Sequence, residues 1–188
     1  MAAIVPPQQG NIALADDPNR TSYSATKQGL VLVASATDIA TLTGSATKTI
    51  RVTHVEYSGL ATTILNTSVE LFVRTTADSG GTATTPAVIA HDQTASGTPP
   101  TATAVMSVYT ANPTVNDGTA RPIRSQKALH NLAAPTAGSE STRVVWDFMN
   151  RPSQAIVLRG AAQQLAVNLN GVTVAGGNAD ITFEWTEE

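Results

Sequence analysis

Apolar side chains in this chain recur at every second residue, and a helical spacing of three and four is nowhere sustained. Val69, Leu71 and Val73 alternate with Glu70 and Arg74. Val144, Trp146 and Phe148 alternate with Arg143, Val145 and Asp147. Ile181, Phe183 and Trp185 alternate with Asp180, Thr182, Glu184 and Thr186. Successive side chains of a strand point to opposite faces, so each run gives one apolar and one polar face. Thr49 to Tyr57 begins the same way with Ile50 and Val52, but Val55 and Tyr57 have the opposite parity. One extra residue near Thr53-His54, a β-bulge, would return all four to one face. Phe72 falls on the charged side of its run, so part of that face is expected to be covered.

Further β-rich stretches lie at Thr21 to Lys27, Gly29 to Val33, Asp38 to Thr43, Ala104 to Thr110, Arg121 to Leu129, Ala155 to Arg159 and Gln164 to Asn168. A short helical turn is an alternative at Ser125 to Asn131. Asn170-Gly171 carries a hairpin-turn signal. About ten short strands joined by Gly, Pro, Ser and Thr predict an all-β fold, an antiparallel β-sandwich of jelly-roll type. The expected core is Ile50, Val52, Val69, Leu71, Val73, Val144, Trp146, Phe148, Leu165, Val167, Ile181, Phe183 and Trp185. The longest runs, including Thr142 to Met149, are expected at the centre of the sheets. Residues 21–188 then form a single sandwich domain, with a long loop at about 75–103 holding a short strand at Ala87 to Ala90. Residues 1–20 are rich in Pro and Gly and poor in strand pattern, and they predict an extended arm. Ile4, Val5, Ile12 and Leu14 are its apolar residues and its proposed assembly contacts.

Groups that do chemistry are sparse. The 188 residues include no Cys, three His and 13% charged residues, with a net charge of −3. Disulfides and thiolate metal sites are therefore excluded. Without a basic stripe, direct nucleic-acid binding is not expected. No run approaches the roughly 20 apolar residues of a membrane span, and the start has no signal-peptide pattern. His54, His91 and His130 lack metal-ligand spacing. His91-Asp92 reads as a solvated loop pair, and Asp16-Asp17-Pro18 as a turn in preference to a calcium site. Ser58-Gly59 lacks the first glycine of a nucleophile elbow. No cofactor, metal or enzymatic activity is expected. Trp146, Phe148, Phe183 and Trp185 could form a sugar-stacking platform. Their aliphatic companions Val144 and Ile181 favour a core instead.

Several segments carry a family likeness. They are Ser22-Tyr23-Ser24-Ala25-Thr26-Lys27, Leu42 to Val52, Tyr109-Thr110-Ala111-Asn112-Pro113, Trp146-Asp147-Phe148 with Arg151 to Gly160, and Glu184-Trp185-Thr186-Glu187-Glu188. Over most of residues 20–188 the chain resembles small virion structural proteins of tailed bacteriophages and prophages. That resemblance implies an oligomeric β-sandwich made in the host bacterial cytoplasm and located in the virion. Its partners would be the major capsid protein or other virion proteins, together with copies of itself. A head decoration or cement protein is the leading expectation. A neck, tail or fibre component is the first alternative, and a glycan-binding module the second.

Overall fold

The structure, a computed structural model, describes residues 20–32, 38–92, 98–117, 121–132, 141–148, 155–174 and 176–188. Among the described residues there is no helix, and the chain forms twelve strands. They are β1 (Thr21–Val31), β2 (Asp38–Thr43), β3 (Thr49–Ala61), β4 (Leu65–Arg74), β5 (Thr82–Thr84), β6 (Val88–Ala90), β7 (Val105–Ala111), β8 (Arg124–Leu132), β9 (Val144–Asp147), β10 (Ile156–Arg159), β11 (Gln164–Asn168) and β12 (Asn178–Glu187).

The pairings nest. β1 pairs with β12, β2 with β11, β3 with β9 and β10, and β4 with β8, all antiparallel. Strands early in the chain thus meet their counterparts late in the chain, like one long hairpin rolled up. β12 also pairs with β3, and β11 with β4. The result is a jelly roll of two leaves. One leaf runs β6-β1-β12-β3, with β9 and β10 beyond β3. The other runs β5-β7-β2-β11-β4-β8. The leaves join at one side. β8 pairs with β4 as far as His130, and then Asn131 and Leu132 run parallel to Leu60 and Ala61 of β3.

The alternating patterns account for the filling between the leaves. Every expected core residue is buried except Val73, which is half-buried against the core. Tyr23, Leu30, Leu42, Met106, Val108 and Leu158 are among the others that pack with them. The bulge in β3 is present: Glu184 faces His54 while Trp185 faces Val52, so Thr53 is the extra residue. Val55 and Tyr57 are thereby returned to the interior with Ile50 and Val52. Thr21 to Lys27 and Gly29 onward are one strand, β1, bulged between Lys27 and Leu30. There Gly29 takes φ +60°, and its N–H donates to Asp180 Oδ1 at 2.7 Å. Few side chains tolerate that conformation.

Three local expectations change. The helical turn at Ser125 to Asn131 is strand throughout. Thr142 to Met149 is not central: β9 spans only Val144–Asp147 and pairs with β3 alone. β11, five residues and wholly buried, is the inner strand of its leaf. A two-leaf core rewards strands with apolar neighbours on both sides, and amphipathic alternation does not report that. Asn170 and Gly171 do form a turn with positive φ, closed by Val172 N–H to Leu169 O at 3.2 Å. The strand that follows crosses to the other leaf, so the turn closes no hairpin.

Candidate functional site

The chain between β4 and β8 is an insertion into the jelly roll, and it builds the two unusual places in the molecule. The expected strand near Ala87 to Ala90 is β6, and β5 precedes it. β6 adds to the β1 edge of one leaf, while β5 adds to β7 at the edge of the other. Both ends of the strand order are therefore three-residue strands, which limits edge-to-edge pairing there. Between these edges lies a groove of about 640 Å³. Its walls are Tyr23, Thr85, Pro86, Val88, Ile89 and Ala90 on one side and Pro99 to Ala102, Ala104 and Val105 on the other. Ile89 and Val105 are exposed, Ile89 by 59%. Among the residues lining the groove, only Tyr23 carries a titratable group.

The groove rests on a fixed floor. Glu187 is 4% exposed. Its carboxylate accepts from Thr103 N–H, Thr103 Oγ1, Ala104 N–H and Trp185 Nε1 at 2.7–3.0 Å. The Tyr23 ring stacks on Trp185 with centroids 5.8 Å apart. A buried anion held by four donors sets the segment before β7 against β12, which gives the groove a rigid wall.

The second place is a polar layer on the outer face of the β2-β11-β4 leaf. Residues of β11 alternate: Leu165 and Val167 enter the core, while Gln164, Ala166 and Asn168 turn outward yet are buried. The insertion is what covers them. Asp78 N–H donates to Gln164 Oε1 at 2.9 Å, and Ser79 and Thr114 exchange backbone hydrogen bonds. Beneath, Arg74 forms a two-pronged pair with Asp38, Nε to Oδ2 at 2.9 Å and Nη2 to Oδ1 at 2.8 Å. Arg74 Nη1 reaches Asp117 O at 2.9 Å, and Asn168 Nδ2 reaches Asp38 Oδ1 at 2.7 Å. The guanidinium lies 4.3 Å over the Phe72 ring, which explains the parity of Phe72. Desolvation first, and then the charge of Asp38, push the Asp78 carboxyl up to about 7. Two carboxyls beside one guanidinium hold a proton more readily than two full charges.

A third polar cluster sits where the leaves join. His130 Nε2 is 2.9 Å from Thr67 Oγ1 and 3.3 Å from the Tyr57 hydroxyl. Desolvation lowers the His130 pKa and raises that of Tyr57. Gly59 makes room: a Cβ there would meet the Tyr57 hydroxyl at 2.8 Å and the His130 ring at 2.9 Å.

These clusters bind structure together and offer no open chemistry. The Asp78 carboxylate oxygens are sealed from solvent, so no substrate atom meets them. Among the described residues, no three His, Asp or Glu side chains are grouped to hold a metal ion. His54 lies at the bulge, 3.7 Å from Glu56, whose carboxylate pairs with Arg143. His91 is exposed and uses its backbone N–H on Ser22 O. Trp146, Phe148, Phe183 and Trp185 are buried, so they form no sugar platform. The proposed arm contacts Ile4, Val5, Ile12 and Leu14 lie outside the described residues, as does Asp16-Asp17. Asp38, Arg74 and Glu187 were assigned no site role from the sequence, and Asp78 read only as the start of a turn. The parity of Phe72 was the only sign of a covered face, and it pointed to no partner.

No family model matches the chain, and no curated protein or solved structure matches it either.

Proposed function

We propose that this chain is a structural protein of a tailed-bacteriophage virion, a head decoration or cement protein that bridges capsid subunits. The family resemblance supplies the class. The observation that supports a contact role is the insertion between β4 and β8: it adds short strands at both ends of the strand order and leaves an apolar groove with two exposed aliphatic side chains. A lining of Pro, Thr, Ala and Val binds an extended apolar segment, and it offers no nucleophile and no acid–base pair. In this reading the protein is not an enzyme. Its major partner is the capsid protein, and it works as an oligomer. Binding to the assembled shell but not to dissociated subunits stabilises the shell by mass action.

The test is to add purified protein to shells that lack it. Binding across the shell surface, with a raised shell-dissociation temperature, is the expected result. Binding confined to one vertex or to the tail moves the protein to the neck or tail. No binding to shell or tail overturns the virion reading.

A further inference from the structure

We propose that the groove between β6 and the segment before β7 receives the N-terminal segment Ile4-Val5-Pro6-Pro7 of a second copy of this chain. The proposal rests on the assembly reading of the arm, but it does not require a virion partner. Three observations carry it.

The first is chemical fit. Among the described residues β6 pairs only with β1, which leaves its other edge for an added strand, and all three β6 residues line the groove. An extended segment would use that edge for backbone hydrogen bonds and the groove for alternate side chains. Pro86, Pro99 and Pro100 face the groove beside Val88 and Ile89. Such walls suit Ile4, Val5 and two prolines. Proline enters the complex with little conformational entropy left to lose.

The second is reach. The described chain begins at Arg20, whose guanidinium is 2.8 Å from Glu188. Tyr23, three residues on, already lines the groove. Val5 is fifteen residues before Arg20 in the sequence, an extended reach of about 50 Å. The root of the arm therefore stands beside its own groove, while its apolar tip can extend far past it. The tip fits a neighbour's groove without doubling back.

The third is direction. Tyr23 to Ala25 run antiparallel to β6, and the groove extends along β1 from Tyr23 toward the partners of Ala25. Traced backward from Tyr23 to Arg20, the chain leaves in the opposite sense. An exchange of arms between copies fits that direction, either reciprocally in a dimer or head to tail along a ring.

The chain has no Cys, so two introduced thiols report the contact cleanly. The full chain is prepared as Val5→Cys and, separately, as Ile89→Cys. Ile89 is exposed, so its replacement leaves the core intact. Mixed under mild oxidation, the two should form a Val5→Cys/Ile89→Cys heterodimer in several-fold excess over either homodimer. Unlabelled full chain should compete for it, and a variant lacking residues 1–14 should still compete through its intact groove, though without offering an arm. The yield should change little with salt, because the arm carries only Asp16, Asp17 and Arg20 as side-chain charges. Heterodimer at no more than the random yield overturns the proposal. A double variant that closes only within one chain also overturns it, by assigning the groove to its own arm. Shell binding is measured in parallel on the unsubstituted full chain. Retained shell binding without arm exchange rejects this inference alone, whereas arm exchange without shell binding rejects the virion reading alone.

Discussion

The outer faces of the two leaves, both polar in sequence, meet different surroundings. On the β1-β12-β3 leaf, Thr26, Thr182, Glu184 and Thr186 remain in contact with solvent, and Thr26 and Thr182 share a hydrogen bond of 3.0 Å at the surface. On the β2-β11-β4 leaf, the equivalent positions are Asp38, Thr41, Gln164, Asn168 and Arg74, and all are buried. Both faces are polar in sequence. One is polar because it meets water. The other is polar because it meets the backbone and carboxylates of an inserted segment. Polar alternation thus says which side of a strand avoids the core, but not what lies on that side.

The largest effects should come from the shared interior. Trp146→Ala or Phe148→Ala should each cost about 3–5 kcal/mol, because each removes a buried aromatic and leaves a cavity. Chemical denaturation measures this directly. A loss near zero with normal folding would place these rings at the surface and return the sugar-binding reading.

The next effect separates the two outer faces. Arg74→Met should cost about 3 kcal/mol, since it strands the buried Asp38 charge. Combining it with Asp38→Leu should recover most of that loss, because the ion pair is then replaced as a unit. Thr182→Ala on the other leaf should stay within about 0.5 kcal/mol. Equal small losses from Arg74→Met and Thr182→Ala would mean that both faces are solvated, and the contrast would fail. A smaller effect belongs to the groove floor. Glu187→Gln should cost about 2 kcal/mol, because an amide cannot accept from all the donors that meet the carboxylate.

How much of this was legible follows from where each signal resides. The all-β class, the core and the β3 bulge were legible because period-two parity is local, and Ile50, Val52, Val55 and Tyr57 carry it within eight residues. A jelly roll was expected from strand number and loop length, but its strand order was not legible, because the nested pairing joins strands far apart in the chain. The polar layer was not legible. Asp38, Arg74, Asp78 and Asn168 are scattered along the chain, and each looks like a solvated strand or turn residue. Their meeting is decided by how the insertion folds back, for which Phe72 is the only local sign. The groove was hidden for the same reason: its walls are Pro, Thr and Ala, which read as loop.

The last expected effect is one of slope, and it tests whether the covered face is as dry as its geometry indicates. Asp78 is raised in the folded chain from its ordinary 3.8 to about 7. Between those values the native state binds a proton that the unfolded chain does not, so this group's contribution to stability falls as pH rises from about 4 to 7. His130 has the opposite sign. Its folded pKa is depressed below 6.5 by burial, so its contribution is present above 6.5 and is lost as pH falls through the folded value. In the wild type the two slopes oppose each other just below pH 6.5, where the two windows overlap. Asp78→Asn removes the first and should leave stability rising with pH through 6.5. His130→Gln removes the second and should leave stability falling over the same range. Denaturation midpoints measured at several pH values for the three proteins decide it. If Asp78→Asn changes the midpoint but not its pH dependence, Asp78 titrates as it does in water, and the insertion does not seal the leaf beneath it.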